Sequence, residues 1–240
     1  MTQLTSVFSD QQIEEYHNNG CLLPKIQVFN NDELKELTDI FERLESEDRN
    51  LDTPHFRNPE LLKFLLNDKV YDIVEPLIGP NFGLWSSHFI SKQPNVGKAT
   101  PWHEDSNYWD GRFDQFNGIV TVWIALDDST LENGCMQLVP GSHLRNDFVY
   151  EPCSTEENIF VKQITNIDES TAIPCILKRG EFSLHDSRIV HGAKANKSNK
   201  RRCGYTMRYF SQDMKYLGNK DSFKLWHCRG KNPHNNPMVN

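Results

Sequence analysis

The sequence predicts a mainly β chain with a helical flank, folded as a sandwich or jelly roll. Three observations carry this. Apolar residues at helical spacing run through residues 9 to 80. From Leu84 onward, short segments rich in β-branched and aromatic residues alternate with turn signals. A chain of 240 residues is also of the length that β sandwiches and barrels use as one domain. The expected layout is one domain over 1–240: a helical flank at 9–80, a jelly-roll core at 84–212 and a tail at 213–240.

The elements follow in order. Ser9-Asp10-Gln11-Gln12 has the form of a capping box, and Ile13 and Tyr16 give a short apolar stripe that ends near Gly20. Cys21-Leu22-Leu23 reads as a short strand. Asn30 to Glu33 caps the next helix, in which Leu34, Leu37, Ile40, Phe41 and Leu44 share one face. Asn58-Pro59 predicts a third helix, with Asn as N-cap and Pro at the first helical position. A fourth runs from Asp68 to Leu77 and stops at Gly79-Pro80. Core packing accounts for all these stripes.

Strands are predicted at Leu84–Lys92, Ile119–Leu126, Gln137–Val139, Ala172–Leu177, Glu181–Leu184 and Cys203–Phe210. Turns are predicted at Pro94 to Gly97, Glu132 to Gly134, Pro140 to Ser142 and Arg179-Gly180. Residues 143–170 read as a long polar loop over one end of the barrel, of the kind that forms lids. The end of the tail, Pro233 to Asn240, reads as loosely held.

The bulk numbers exclude some classes. A net charge of −7 argues against nucleic acid or an anionic membrane as the main partner. Aromatics at 11% argue against disorder. The six cysteines form no C-x-x-C pair, which favours free thiols in a reducing cytoplasm. Met1 to Asp10 lacks the charged and apolar regions of a leader, and no apolar run is long enough to span a bilayer.

The chemistry concentrates in Thr100-Pro101-Trp102-His103-Glu104-Asp105. On an extended strand His103 and Asp105 share a face, because side chains alternate with period two, and Glu104 points away. His191 offers a second imidazole on another strand-like segment. Two imidazoles and one carboxylate form the facial triad that suits non-haem Fe(II) and leaves positions open. The pair alone is weak, since the chain has nine histidines. Arg202, eleven residues beyond His191, strengthens it: a guanidinium there can clamp a carboxylate in bidentate fashion. The run Thr121 to Asp128, with Asn133 to Met136 and Pro140 to His143, adds a third signal.

With these stretches, His191 to Asn196 and Arg201-Arg202, roughly residues 10 to 212 resemble the phytanoyl-CoA dioxygenase family of Fe(II)/2-oxoglutarate oxygenases. The resemblance implies a cupin-like double-stranded β-helix core with N-terminal helices. It implies Fe(II) held by His103, Asp105 and His191, O2 as oxidant, and 2-oxoglutarate with its C5 carboxylate on Arg202. Trp123 would line the cosubstrate pocket, and His88 would stand near it. Where several members have Ser two residues after the distal histidine, this chain has Ala193. A carboxylate at Asp105 implies hydroxylation or desaturation rather than halogenation, with release of succinate and CO2.

The substrate expected is a small polar molecule, with an anion held by Arg201 or Arg208 as one option. The alternatives are a jelly-roll protein that binds a metal or small ligand without turnover, and a zinc hydrolase; neither needs Arg202. His185 is a competing ligand that the His191-to-Arg202 spacing argues against. His143 reads as structural. Tyr108 and Trp109 read equally as a pocket wall or as rim packing.

Overall fold

The computed structural model describes residues 7–219 and 223–239. Residues 1 to 6, part of the stretch read as carrying no leader, lie outside the described residues, as do 220–222 and 240 of the tail. Helix α1 (Asp10–Asn19) begins on a reciprocal cap: the Ser9 hydroxyl accepts from the Gln12 amide, and the Gln12 side chain accepts from the Ser9 amide. It ends where Gly20 turns left-handed at φ 74°. Strand β1 (Cys21–Leu22) follows. Asn30 and Glu33 cap helix α2 (Asn31–Ser46) in the same way, and its five predicted stripe residues are all buried.

The third helix is shorter than expected. Pro59–Leu61 form a 3-10 turn, and helix α3 (Leu62–Leu65) adds a single turn. Asn58 does not cap it; its side-chain amide donates back to the Pro54 carbonyl. Asn67 then caps a separate helix, α4 (Asp68–Ile78), so a second start signal cuts the first segment short.

The strands that follow are β2 (Phe82–Lys92), β3 (Thr100–His103), β4 (Ile119–Ala125), β5 (Met136–Leu138), β6 (Tyr150–Pro152), β7 (Lys162–Ile164), β8 (Ile173–Pro174), β9 (Phe182–Asp186), β10 (His191–Ala193), β11 (Arg202–Ser211), β12 (Leu225–Arg229) and β13 (Met238–Val239). One sheet runs β1-β9-β4-β11-β2-β12-β13 and a second runs β3-β10-β5-β8. The chain passes back and forth between the two, which makes the core a double-stranded β-helix. Only two residues of the predicted strand 172–177 join β5, where Pro174 can donate no ladder hydrogen bond.

Side-chain alternation in the large sheet positions the site. Val120, Val122, Ile124, Leu184, Tyr205 and Met207 face the helices and pack with Leu37, Phe41, Leu44 and Val74. The residues between them, Thr121, Trp123, His185, Thr206 and Arg208, must face the barrel interior.

Two segments differ from the sequence reading. Residues 143–170 carry a hairpin, β6 paired with β7, between two 3-10 turns. The tail before Pro233 carries a strand, β12, which joins β2, and Trp226 enters the main core; of the end read as loosely held, β13 pairs with β12 and Asn236 is buried. Arg229 pairs with Asp68, Asp72 and Glu75 of α4. Near the end, buried Asn236 accepts from the Tyr216 amide and donates to the Met214 carbonyl. No helix among the described residues is long and apolar enough to cross a membrane.

Candidate metal centre

Strand β10 pairs with β3 so that His191 stands opposite His103. Each imidazole is oriented by its own backbone. Nδ1 of His103 donates to the Pro101 carbonyl at 2.8 Å, and Nδ1 of His191 donates to the Ile189 carbonyl at 3.0 Å. Those bonds leave both Nε2 atoms as lone-pair donors. They lie 3.7 Å and 3.9 Å from Oδ1 of Asp105. One ligand atom from each of the three residues falls within 4.8 Å of the others, and all three residues are buried.

The convergence does not come from simple strand alternation. β3 ends at His103, and Asp105 opens a 3-10 turn that runs to Trp109. The Ser106 amide donates to the Ser187 carbonyl, which ties this turn to the chain just before β10. Glu104 turns away and accepts from the Ser106 hydroxyl at 2.8 Å.

The charge states suit a divalent cation. Burial pushes the Asp105 carboxyl up, but Arg208 and the two imidazoles outweigh it and hold the group well below the usual carboxylate range. Burial, reinforced by His103, holds His191 well below the ordinary imidazole value, so it is neutral. Two imidazole nitrogens and an ionised carboxylate are the donor set of a non-haem iron centre.

Arg202 opens β11 from within the same cavity. It is 3% exposed, and burial lowers its pKa. Its Nε is buried without a hydrogen-bond partner, and no described ion pair reaches its guanidinium. Lys92, its cross-strand neighbour on β2, is also buried, with burial and then Arg202 depressing its pKa to about 7. The Lys92 amine donates to the Lys98 carbonyl, so of the two Arg202 is the cation with an unmet donor, and an anion can satisfy it. Trp123 lies beneath Arg202 and lines the cavity, as do His88 and Ala193. His88 reaches in from β2, with Nδ1 3.9 Å from Asp52.

The remaining candidates sort as follows. His185 lines the cavity with its ring 5.2 Å from that of His191, yet stands outside the cluster of ligand atoms. It belongs to β9 in the other sheet and so shares no strand with His191. Burial lowers its pKa to about 4. His143 is structural, its Nε2 donating to the His17 carbonyl. Trp109 is buried against Trp85, and Tyr108 is an exposed rim residue set edge-on to His103. Arg201 is engaged by Asp127, Glu42 and Glu45 and does not line the cavity.

Sequence reasoning missed Phe160. It comes from the loop between β6 and β7 and packs its ring 4.8 Å from that of His103. The cavity encloses about 450 Å³. The triad and Arg202 line it. Leu51, Phe89, Ile90, Ile159 and Phe160 give the rest a mainly apolar wall, with Glu45, Ser91 and Gln93 as polar groups.

A sequence model of the Phytanoyl-CoA dioxygenase (PhyH) family matches residues 4–204. A Caenorhabditis elegans relative, a phytanoyl-CoA dioxygenase domain-containing protein 1 homolog, is 31% identical over 160 residues, 64% of this chain and 55% of the relative. The peroxisomal phytanoyl-CoA dioxygenase of Rattus norvegicus is 26% identical over 68% of this chain and 50% of its own. The chain thus spans a little over half the length of curated relatives it matches. Among solved structures, the non-heme monooxygenase ThoJ superposes with a TM-score of 0.78 at 20% identity, covering 95% of this chain and 86% of ThoJ. EvdO2 from Micromonospora carbonacea var. aurantiaca, complexed with 2-oxoglutarate, gives 0.73 at 22% identity, over 90% and 96% of the two chains. At such identities these two establish the fold.

Proposed function

We propose, from the premise that this chain belongs to the phytanoyl-CoA dioxygenase family, that it is an Fe(II)- and 2-oxoglutarate-dependent oxygenase acting on a C–H bond of a small molecule. One observation carries the reading. A buried cluster of two imidazole nitrogens and a carboxylate oxygen shares its cavity with an arginine that has no counter-ion among the described residues. A metal-binding scaffold or a zinc hydrolase has no use for that arginine.

The residues divide the work. His103, Asp105 and His191 would hold the iron, and the backbone carbonyls of Pro101 and Ile189 hold the imidazoles in place. Arg202 takes the far carboxylate of 2-oxoglutarate, with Trp123 as the floor and His88 at the side. Bound iron and 2-oxoglutarate supply the oxidising power from O2, giving succinate and CO2. Phe160 and the apolar wall keep water from the site.

The cavity of about 450 Å³ must take cosubstrate and substrate together, so the part of the substrate inside is small. Its apolar outer wall suits a largely uncharged body with a few hydrogen-bonding groups near Ser91 and Gln93. The anionic option weakens, because Arg201 lies in a surface ion-pair network and Arg208 already faces Asp105. The carboxylate at Asp105 favours hydroxylation. The helical flank, core and tail act as one unit in this reading, and six unpaired cysteines agree with a reducing, cytoplasmic setting.

The test is succinate release. Protein loaded with Fe(II) without oxygen is given 2-oxoglutarate and then air, alone and with a panel of small molecules. Slow succinate formation, lost in His103→Ala and accelerated by a panel compound, supports the reading. No succinate and no 2-oxoglutarate binding by the iron-loaded protein would overturn it.

A further inference from the structure

We propose that Arg208 is a positioning residue for the metal. It holds the outer oxygen of Asp105 so that the inner oxygen alone faces the two histidines. The inference rests on the reading of His103, Asp105 and His191 as a metal centre and adds a residue to it.

The two carboxylate oxygens of Asp105 have different surroundings. Oδ1 faces Nε2 of His103 and of His191. Oδ2 faces Nε of Arg208 at 3.5 Å, an ion pair in which Nε makes no hydrogen bond. A carboxylate free to rotate can present both oxygens to a cation and take two of its coordination positions. A fixed cation beside one oxygen disfavours that rotation by charge attraction alone.

Arg208 is itself held by two further side chains. Its Nη1 donates to the Ser86 hydroxyl at 3.3 Å, and its guanidinium lies over the Trp109 ring at 5.2 Å. In register, Arg208 on β11 stands between Ser86 on β2 and Thr121 on β4. The side chain therefore rises from the middle of the large sheet toward Asp105, which belongs to the turn after β3 in the small sheet. It is 8% exposed and lines the cavity. A cation this fixed and already facing a carboxylate serves a free substrate anion poorly. It serves well as the orienting partner of a metal-bound carboxylate, a role whose loss costs metal affinity about 10–100-fold.

The experiment is an anaerobic Co(II) titration of the full chain, read by calorimetry and by the cobalt d–d absorption bands, which report coordination geometry. Wild type, Arg208→Met, Arg208→Lys and Ser86→Ala are compared, each with a melting curve of the metal-free protein. Arg208→Met should raise the Co(II) Kd by about 10–100-fold and alter the band shape at saturation. Arg208→Lys keeps the charge and should recover most of the affinity, with bands still shifted because an ammonium cannot hold both Asp105 and Ser86. A merely structural role would lower the melting temperature but leave the saturated spectrum unchanged. Wild-type affinity and bands in Arg208→Met overturn the proposal. Should Arg208→Met fail to fold, the other two decide: shifted bands in Arg208→Lys support the proposal, and wild-type bands in both overturn it. A wild-type chain that binds no Co(II) overturns the metal reading itself, a result distinct from wild-type binding that survives Arg208→Met.

Discussion

The guanidinium of Arg202 lies over the indole of Trp123, with Cζ 5.5 Å from the ring centroid, and no described carboxylate reaches it. A cation–π contact contributes about 0.5–2 kcal/mol. Burying a lone cation costs several kcal/mol. The protein therefore carries an uncompensated charge that an incoming anion relieves. Arg202→Met should cut 2-oxoglutarate affinity by about 10–100-fold, from the loss of about 1.5–3 kcal/mol of charge-assisted hydrogen bonding. The same variant should melt higher than wild type in the absence of ligand, because the buried charge is gone. Titration of 2-oxoglutarate into cobalt-loaded protein, beside melting curves, checks both; unchanged 2-oxoglutarate affinity removes Arg202 from the site.

Gly204 makes room for that indole. A Cβ built at Gly204 would lie 2.1 Å from Cζ2 of Trp123. Gly204→Ala must therefore move Trp123, at a cost of about 1–3 kcal/mol for overpacking, and should weaken 2-oxoglutarate binding as well. Trp123→Leu clears the space. The double variant should lose less stability than the sum of the two singles, by at least about 0.5 kcal/mol. Additive urea midpoints would show that the indole had found room elsewhere.

Much of this site was legible in the sequence because its parts are local. The capping signals at Ser9 and Asn30 and the stripe from Leu34 to Leu44 each operate within a few residues, and the structure has them all. The His103, Asp105 and His191 cluster followed from a short motif and one distant histidine. Other features depend on registers between remote strands. Arg208 meets Asp105 only because β11 and the turn after β3 face each other across the barrel, which no local pattern encodes. Asp105 reaches the site through a 3-10 turn, where strand alternation gave the right neighbours for the wrong reason. The tail read as loose because β13 is too short to show a period, and because asparagine side chains supply much of its hydrogen bonding.

Acid sensitivity should trace in part to His55, which is remote from the metal centre. It is buried between Phe56 and Trp226, and its Nδ1 accepts from the Ser87 hydroxyl, which in turn accepts from Tyr205. Burial, helped by Lys224, lowers its pKa to about 3. The folded value lies below the unfolded value of about 6.5, so the unfolded chain binds the proton more readily. Its contribution is undiminished above about pH 6.5 and falls as pH drops toward 3, by up to about 1.4 kcal/mol per unit. His55→Gln should flatten the fall between pH 6.5 and 4 by up to that slope, while His185 titrates in both proteins and cancels. Parallel urea stabilities for the two across this range would clear His55 of the effect.

Phe160 closes the cavity over His103, and its loop is tied down by backbone. The Ala99 amide donates to the Glu157 carbonyl, the Ile159 amide donates to the Ala99 carbonyl, and the Lys98 amine donates to the Thr155 carbonyl. The ring itself rests on His103 at 4.8 Å and on Tyr108 at 4.9 Å. An aromatic pair contributes about 0.5–1.5 kcal/mol, so removing the ring weakens closure by up to about tenfold. Phe160→Ala should leave Co(II) affinity within a few-fold of wild type, since the ring makes no hydrogen bond to a ligand residue. Substrate-free succinate release should rise, because water and O2 enter a site meant to stay shut until substrate arrives. The rate of succinate release without substrate, measured in both proteins beside their Co(II) affinities, separates this from general damage. A variant as quiet as wild type would mean that the backbone ties, and not the ring, hold the site closed.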